Sequence, residues 1–282
     1  MPTTRAEHPQ DARGRQYHVG LSAGEVAPVV LLCGEVERAG RIAEQLDHVS
    51  LERRNREYHT FTGTWRGHPI SAMATGMGPD NTEIAVVEVC QLVERPVLLR
   101  VGSCGALPGH VSVGDLVIST GALRYESTST CYAPMEYPAL AHPEVVMALA
   151  AGAARVGHPH HVGLTASVGS FYAGQGRSFA AFPSRNQDRP LELTRLGVLN
   201  MEMEASALFV LGGLAGLRTG AVCAAYANRE SGHFVTDGAK ESAELAAICT
   251  ALEAVDVLAR MDSQRQDAGA PLWHPGLSPP GP

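Results

Sequence analysis

Lysine is almost absent: Lys240 stands alone among 22 basic residues, so nearly every fixed positive charge is a guanidinium. Arginine is the better group for planar, bidentate capture of phosphate or carboxylate, although a coding bias produces the same skew. A basic excess is also missing. The 29 acidic side chains outnumber the basic ones and leave a formal net charge of -7, which argues against a general polyanion-binding surface and against nucleic acid as a partner. No apolar run approaches a membrane span, and the first residues, MPTTRAEHPQDARGRQ, lack the apolar core of a secretory signal. A soluble chain without a membrane partner is expected. Cys33, Cys90, Cys104, Cys131, Cys223 and Cys249 form no CxxC pair and several lie in apolar runs, where a reduced, buried thiol is ordinary; the expected location is the cytoplasm.

What is present is ample core material. With 282 residues, 45% hydrophobic and 18% charged, the chain fits a single large domain. Residues 1–16 are polar, and the stretch from 263 to 282 is rich in Pro, Gly and polar residues, so both ends are expected to be loosely ordered around a domain at 17–262. Between them, apolar runs of strand length alternate with helical patterns. APVVLLCG (27–34) precedes VERAGRIAEQL (36–46), and HPISAMATG (68–76) precedes NTEIAVVEVCQLV (81–93). PVLLRVG (96–102), GDLVISTGAL (114–123), HVGLTASVGSF (161–171) and RTGAVCAAYAN (218–228) read as further strands. Helices are expected over 142–157, 204–216 and 237–261. This rhythm is that of an α/β sheet, and no internal repeat or linker interrupts it.

Ligands of open α/β sheets sit beyond the carboxyl ends of the strands, so the residues just after each apolar run carry the most information. Gly34 ends one strand and Arg38 falls in the first turn of the next helix, an arrangement that offers an anion free N–H groups and a guanidinium. Arg100 closes the apolar run VLLR ahead of Gly102-Ser103-Cys104-Gly105, read here as a turn of successive N–H groups with one hydroxyl. A charge in an apolar strand is costly unless paired, so Arg100 is either salt-bridged to a buried carboxylate or placed for an anionic ligand. Arg56, in RREYHTF, reads alone as a surface charge.

NMEMEAS places Glu202 and Glu204 two apart beside Met201 and Met203. They either complement a helix start or provide a carboxylate acceptor for a vicinal diol, with a methionine against the sugar face. GSFYAGQGR (169–177) is a glycine turn with more than a turn requires: Gln175 and Arg177 alternate after an aromatic pair, as if to read a planar edge. His158, His160 and His161 have loosely metal-like spacing but follow a helical stretch in a loop, and no metal site is expected there.

Taken in order, YHVGL, LLCGEVER, REYHTF, ATGMG, LLRVGSCGAL, VGDLVIST, APMEYPAL, GLTASVGSFYAGQGR and NMEMEAS resemble the nucleoside phosphorylases, and within them the uridine phosphorylases, over nearly the whole chain except its ends. The resemblance implies a single-domain, three-layer α/β/α fold with a central mixed, barrel-like sheet. It implies phosphate binding by Gly34, Arg38, Arg100 and Ser103, with Arg56 supplied by a neighbouring subunit. It gives the ribose to Glu204, Met203 and Ser103, with His18 reaching across the subunit interface, and the base to Phe171, Gln175, Arg177 and Arg229. Arg100, Glu204, Gln175 and Arg177 would carry the catalysis. Inorganic phosphate is then a co-substrate, no cofactor is needed, and the catalytic unit is a homodimer within a hexamer.

The resemblance also implies the reaction, reversible displacement of uracil from C1′ by phosphate. Purine enzymes of the family place a Ser-Asp pair after the late strand, where this chain has Asn228-Arg229. Pro79, Asp80 and Asn81 depart from the usual loop and leave an alkali-ion site in doubt; Gly176 replaces a usual Glu, and Tyr226 a small aliphatic residue. A 5′-altered uridine as substrate, or a non-catalytic nucleoside-binding protein of the same fold, stays open at this stage.

Overall fold

The computed structural model describes residues 6–277. Its centre is built from strands whose side chains are buried on both faces, which is why they read as unbroken apolar runs rather than alternating ones. β1 (Val29–Cys33) lies parallel to β4 (His68–Ala74) on one side and to β5 (Val97–Ala106) on the other. Because successive side chains point to opposite faces, Leu31 and Cys33 join one core cluster and Val30 and Leu32 the other. The first cluster is covered by α1 (Val36–Ala43), α3 (Pro143–Val156) and α6 (Asp237–Asp267); the second by α2 (Pro79–Cys90) and α5 (Ala205–Ala215). The result is the expected three-layer α/β/α arrangement.

β5 also pairs in parallel with β10 (Arg218–Asn228), and β10 runs antiparallel to β6 (Leu116–Tyr125). β6 pairs with β8 (His160–Val168), β8 with β9 (Val198–Glu202), and β9 returns to β5, so these strands close into a ring. β1, β4, β3 (Tyr58–Trp65) and β2 (His48–Asn55) extend the sheet outward from β5, while β7 (Ala139–Leu140) adds to β6, and α4 (Arg189–Arg195) leads into β9. Closure brings the ends of β1, β5, β9 and β10 to one place. Among the described residues, no helix is long and apolar enough to cross a membrane.

Two local expectations are corrected, and one element is added. The stretch 102–105 is no turn: β5 continues through it to Ala106, pairing Gly102 with Cys223 and Ser103 with Ala224. The β2–β3 hairpin, unanticipated in the sequence, carries Arg56 in its turn at φ 53°. The final helix runs past 261 to Asp267, and beyond it the Trp273 indole donates to Gln264 Oε1 at 2.6 Å while its backbone N–H donates to Glu144 at 3.0 Å.

Candidate active site

Gly34 follows β1, and α1 starts two residues later, which sets Arg38 at the third helical position facing a cleft of about 440 Å³. Arg38 is buried and uses four of its five guanidinium N–H groups on partners within the described residues. Its Nε donates to Glu244 at 3.0 Å, Nη2 donates to Glu35 at 2.9 Å and to the Tyr226 hydroxyl at 3.3 Å, and Nη1 reaches the Val101 carbonyl at 3.5 Å. Glu244 also takes the Arg41 guanidinium and accepts from the Tyr226 hydroxyl at 3.1 Å. A buried guanidinium is tolerable only with such partners, and its interior carboxylate comes from α6, far away in sequence.

Arg100, on β5, is salt-bridged and also lines the cleft, so its two readings are not exclusive. Nε meets Glu202 at 2.8 Å and Nη2 meets Glu204 at 2.6 Å, both side chains being buried. The two acids differ in task. Glu202, the last residue of β9, accepts from the backbone N–H groups of Glu204 at 2.8 Å and Ala205 at 3.1 Å, holding the start of α5. Glu204 turns into the cleft, where its Oε1 accepts the Gly78 N–H at 2.6 Å. Burial pushes the Glu204 carboxyl above its ordinary 4.5, with Arg100 pulling it down and the Glu202 charge adding to the rise. Burial is the leading cause of that direction, and the neighbouring Glu202 charge only adds to it.

The glycine at 102 permits this geometry. A Cβ there would lie 2.7 Å from Arg100 Nη2 and 2.9 Å from Cys223 Sγ, closer than real contacts allow. Gly102→Ala is therefore expected to displace the guanidinium and to lower kcat/KM by about tenfold or more, a misplacement effect; steady-state kinetics beside a thermal melt would separate this from unfolding.

The stretch 171–176 is a run of turns after β8. Gln175 is buried, and its Oε1 accepts from Arg177 Nη1 at 2.8 Å, while its amide NH2 donates to no group among the described residues. Arg177 also donates to the Phe171 carbonyl and lies 4.1 Å from the centroid of the Phe171 ring. Burial, and then the nearby Arg229 charge, lower the Arg177 pKa. Gly176 between them sits at φ 79°, where a Cβ would come within 2.9 Å of the Asn186 carbonyl oxygen and closer still to Pro190, so no glutamate fits this loop.

Gly34, Arg38, Arg100, Ser103, Phe171, Gln175, Arg177, Met203 and Glu204 thus line one cleft, joined by Met77, Tyr226 and Phe234. Three anticipated residues do not line it. Arg229 lies behind the loop, donating to the Gln175 carbonyl at 2.9 Å, so within this chain it supports the loop. His18 and Arg56 lie together elsewhere: Asn55 donates to the His18 carbonyl at 2.7 Å, His18 Nδ1 is 2.7 Å from Glu88, and Arg56 donates to the Tyr17 hydroxyl at 2.8 Å. Among the described residues no group of three or more His, Cys, Asp and Glu is gathered as for a metal; His161 pairs with Asp115, and His158 with the Gly114 carbonyl.

A closed mixed sheet with a cleft pairing arginines and carboxylates at the ends of β1, β5 and β9 agrees with what related chains indicate. The profile of the phosphorylase superfamily matches residues 28–258, and the chain belongs to that superfamily. It is 42% identical over 274 residues to a uridine phosphorylase of Thermococcus kodakarensis, an alignment covering 96% of this chain and 97% of that protein. A guanosine phosphorylase of Halorubrum lacusprofundi is 32% identical over 219 residues, covering 78% of this chain and 86% of that one. The crystal structure of a uridine phosphorylase from Vibrio fischeri superposes with a TM-score of 0.78 at 31% identity, covering 88% of this chain and 99% of its own.

Proposed function

We propose that the protein is a uridine phosphorylase, a pentosyltransferase that exchanges uracil for phosphate at C1′ of uridine. Membership of the superfamily leaves the base open, since its members here include a guanosine enzyme as well as uridine enzymes. The observation that carries the base is the Gln175–Arg177 pair, locked by its own 2.8 Å contact inside the same cleft as Arg38, Arg100 and Glu204. Uracil has two carbonyls flanking an N–H; the Gln175 amide fits that edge, and Arg177 donates to the carbonyl that gains charge as the glycosidic bond breaks. Phe171 packs on the base.

Arg38, Arg100, Ser103 and the Gly34 backbone hold the phosphate, and Glu204 accepts from the ribose diol with Met203 against the sugar. The phosphate oxygen attacks C1′ as the C1′–N1 bond breaks, and the bonding electrons pass to the base. Fixed alignment supplies up to about 7–11 kcal/mol of such a barrier. His18 and Arg56 complete the site from a partner subunit in a homodimer, within a hexamer; their shared patch outside the cleft supports this. The six free cysteines support a cytoplasmic setting, where pyrimidine salvage is the role.

Uracil release followed spectrophotometrically tests the reading. Release is expected to require phosphate and to proceed with uridine but not guanosine. Arg177→Ala should lower kcat/KM by about 10²–10³, the cost of removing a donor from developing charge. Undiminished uridine turnover in that variant, or base release without phosphate, would overturn the assignment.

A further inference from the structure

Around the anion end, Arg38, Arg41, Arg100 and Lys240 are each paired with a carboxylate, from Glu35, Glu244, Glu202 and Glu204, and Glu37 lines the cleft as a further acid. A dianion entering this chain's half of the site therefore meets no surplus positive charge. Moreover, both N–H groups of Arg38 Nη2 are spent, one on Glu35 and one on Tyr226. A phosphate that is to take the Arg38 fork needs one of them released.

Of the four paired carboxylates, three are tightly held. The Glu202, Glu204 and Glu244 side chains are 5% exposed or less and are each held by several donors. Glu35 is different on every count. Its side chain is 32% exposed, it lines the cleft, and as the residue capping α1 it makes no capping bond with that side chain. It also has a second partner within reach: its other oxygen is 3.7 Å from Nζ of Lys240, the chain's one lysine, in the first turn of α6.

We propose that Glu35 is an internal competitor for phosphate: it occupies Arg38 in the empty site and swings onto Lys240 when phosphate binds. The inference rests on the proposed phosphorolysis for the nature of the anion. It adds a residue that sets phosphate affinity and a lysine that receives the displaced carboxylate. Breaking the Glu35–Arg38 pair, whose carboxylate end is partly exposed, is part of the cost of binding, and breaking the Glu35–Lys240 pair would raise that cost.

Calorimetric titration of the whole protein with inorganic phosphate, without nucleoside, tests it. Glu35→Gln is expected to tighten phosphate binding by about fivefold, as expected for removing a partly exposed competing charge. Lys240→Met is expected to weaken binding by about threefold, on the same scale. The double variant should match Glu35→Gln, since the lysine has no role once the carboxylate is gone. Thermal melts verify that each variant is folded, and Glu35→Asp, which keeps the charge but draws it back, should tighten binding less than Glu35→Gln. Unchanged or weaker binding in Glu35→Gln would overturn the competitor role, as would a further loss in the double variant. Absence of phosphate binding by the wild-type protein would instead sink the phosphorolysis reading itself.

Discussion

Arg100→Met is expected to cost about 3–5 kcal/mol of stability, the range for removing one partner of a buried ion pair, and to abolish phosphate-dependent turnover. Glu202 and Glu204 both depend on this guanidinium, at 2.8 and 2.6 Å, and both side chains are shut away from water. Removing it leaves two adjacent carboxylates with backbone donors and the Ser167 hydroxyl in place of a cation. Urea denaturation would measure the loss. A second substitution separates the structural from the ligand-binding role: adding Glu202→Gln relieves one uncompensated charge and should recover part of the stability while turnover stays absent. Recovery of turnover in that double variant would show that Arg100 serves the fold alone.

The same residue shows what could be read in advance. Arg100, Arg38, Glu204 and the Gln175–Arg177 pair were legible because each interrupts a pattern, a charge at the end of an apolar run or a polar side chain among glycines. Their partners were not. Glu244 meets Arg38 across 206 residues of sequence, so no local spacing announces it; its one signal is an acid on the face of Ala243, Ala247, Ile248 and Ala251, which are among the buried residues of its helix. Glu202 is visible in the sequence as half of a pair, but its division of labour with Glu204 depends on where β9 ends and α5 begins.

Composition misled at 102–105. Gly-Ser-Cys-Gly has the residues of a turn, yet here small side chains serve a strand: they leave room for the Arg100 guanidinium and for Cys223 on the neighbouring β10. The β2–β3 hairpin was hidden for the opposite reason. Its outer strand, HVSLERRN, is an exposed sheet edge rich in charge, as edges that avoid pairing with other chains tend to be, and it lacks the apolar run by which the inner strands were recognised.

Glu204→Gln is expected to lower kcat/KM for uridine by about 10–100-fold, the worth of a hydrogen bond to a charged acceptor. The carboxylate already accepts from Gly78 N–H and from Arg100, and each oxygen keeps a lone pair for a ribose hydroxyl. An amide in its place must turn its NH2 toward one of those two donors, so the acceptor is lost on one side. The loss should be smaller for 2′-deoxyuridine, which has one hydroxyl fewer to give. Acid provides an independent route to the same state. The Glu204 carboxyl is raised above 4.5 by burial, so in the native protein it takes up a proton at a pH where the unfolded chain does not. Between 4.5 and the raised value this group therefore favours the folded form as the pH falls, and that contribution fades as the pH rises through the folded pKa. On acidification, kcat/KM should decline above pH 4.5 while circular dichroism still reports a folded chain, and that limb should vanish in Glu204→Gln. An acid limb that persists unchanged in the variant would assign the titration to another group and remove Glu204 from the ribose site.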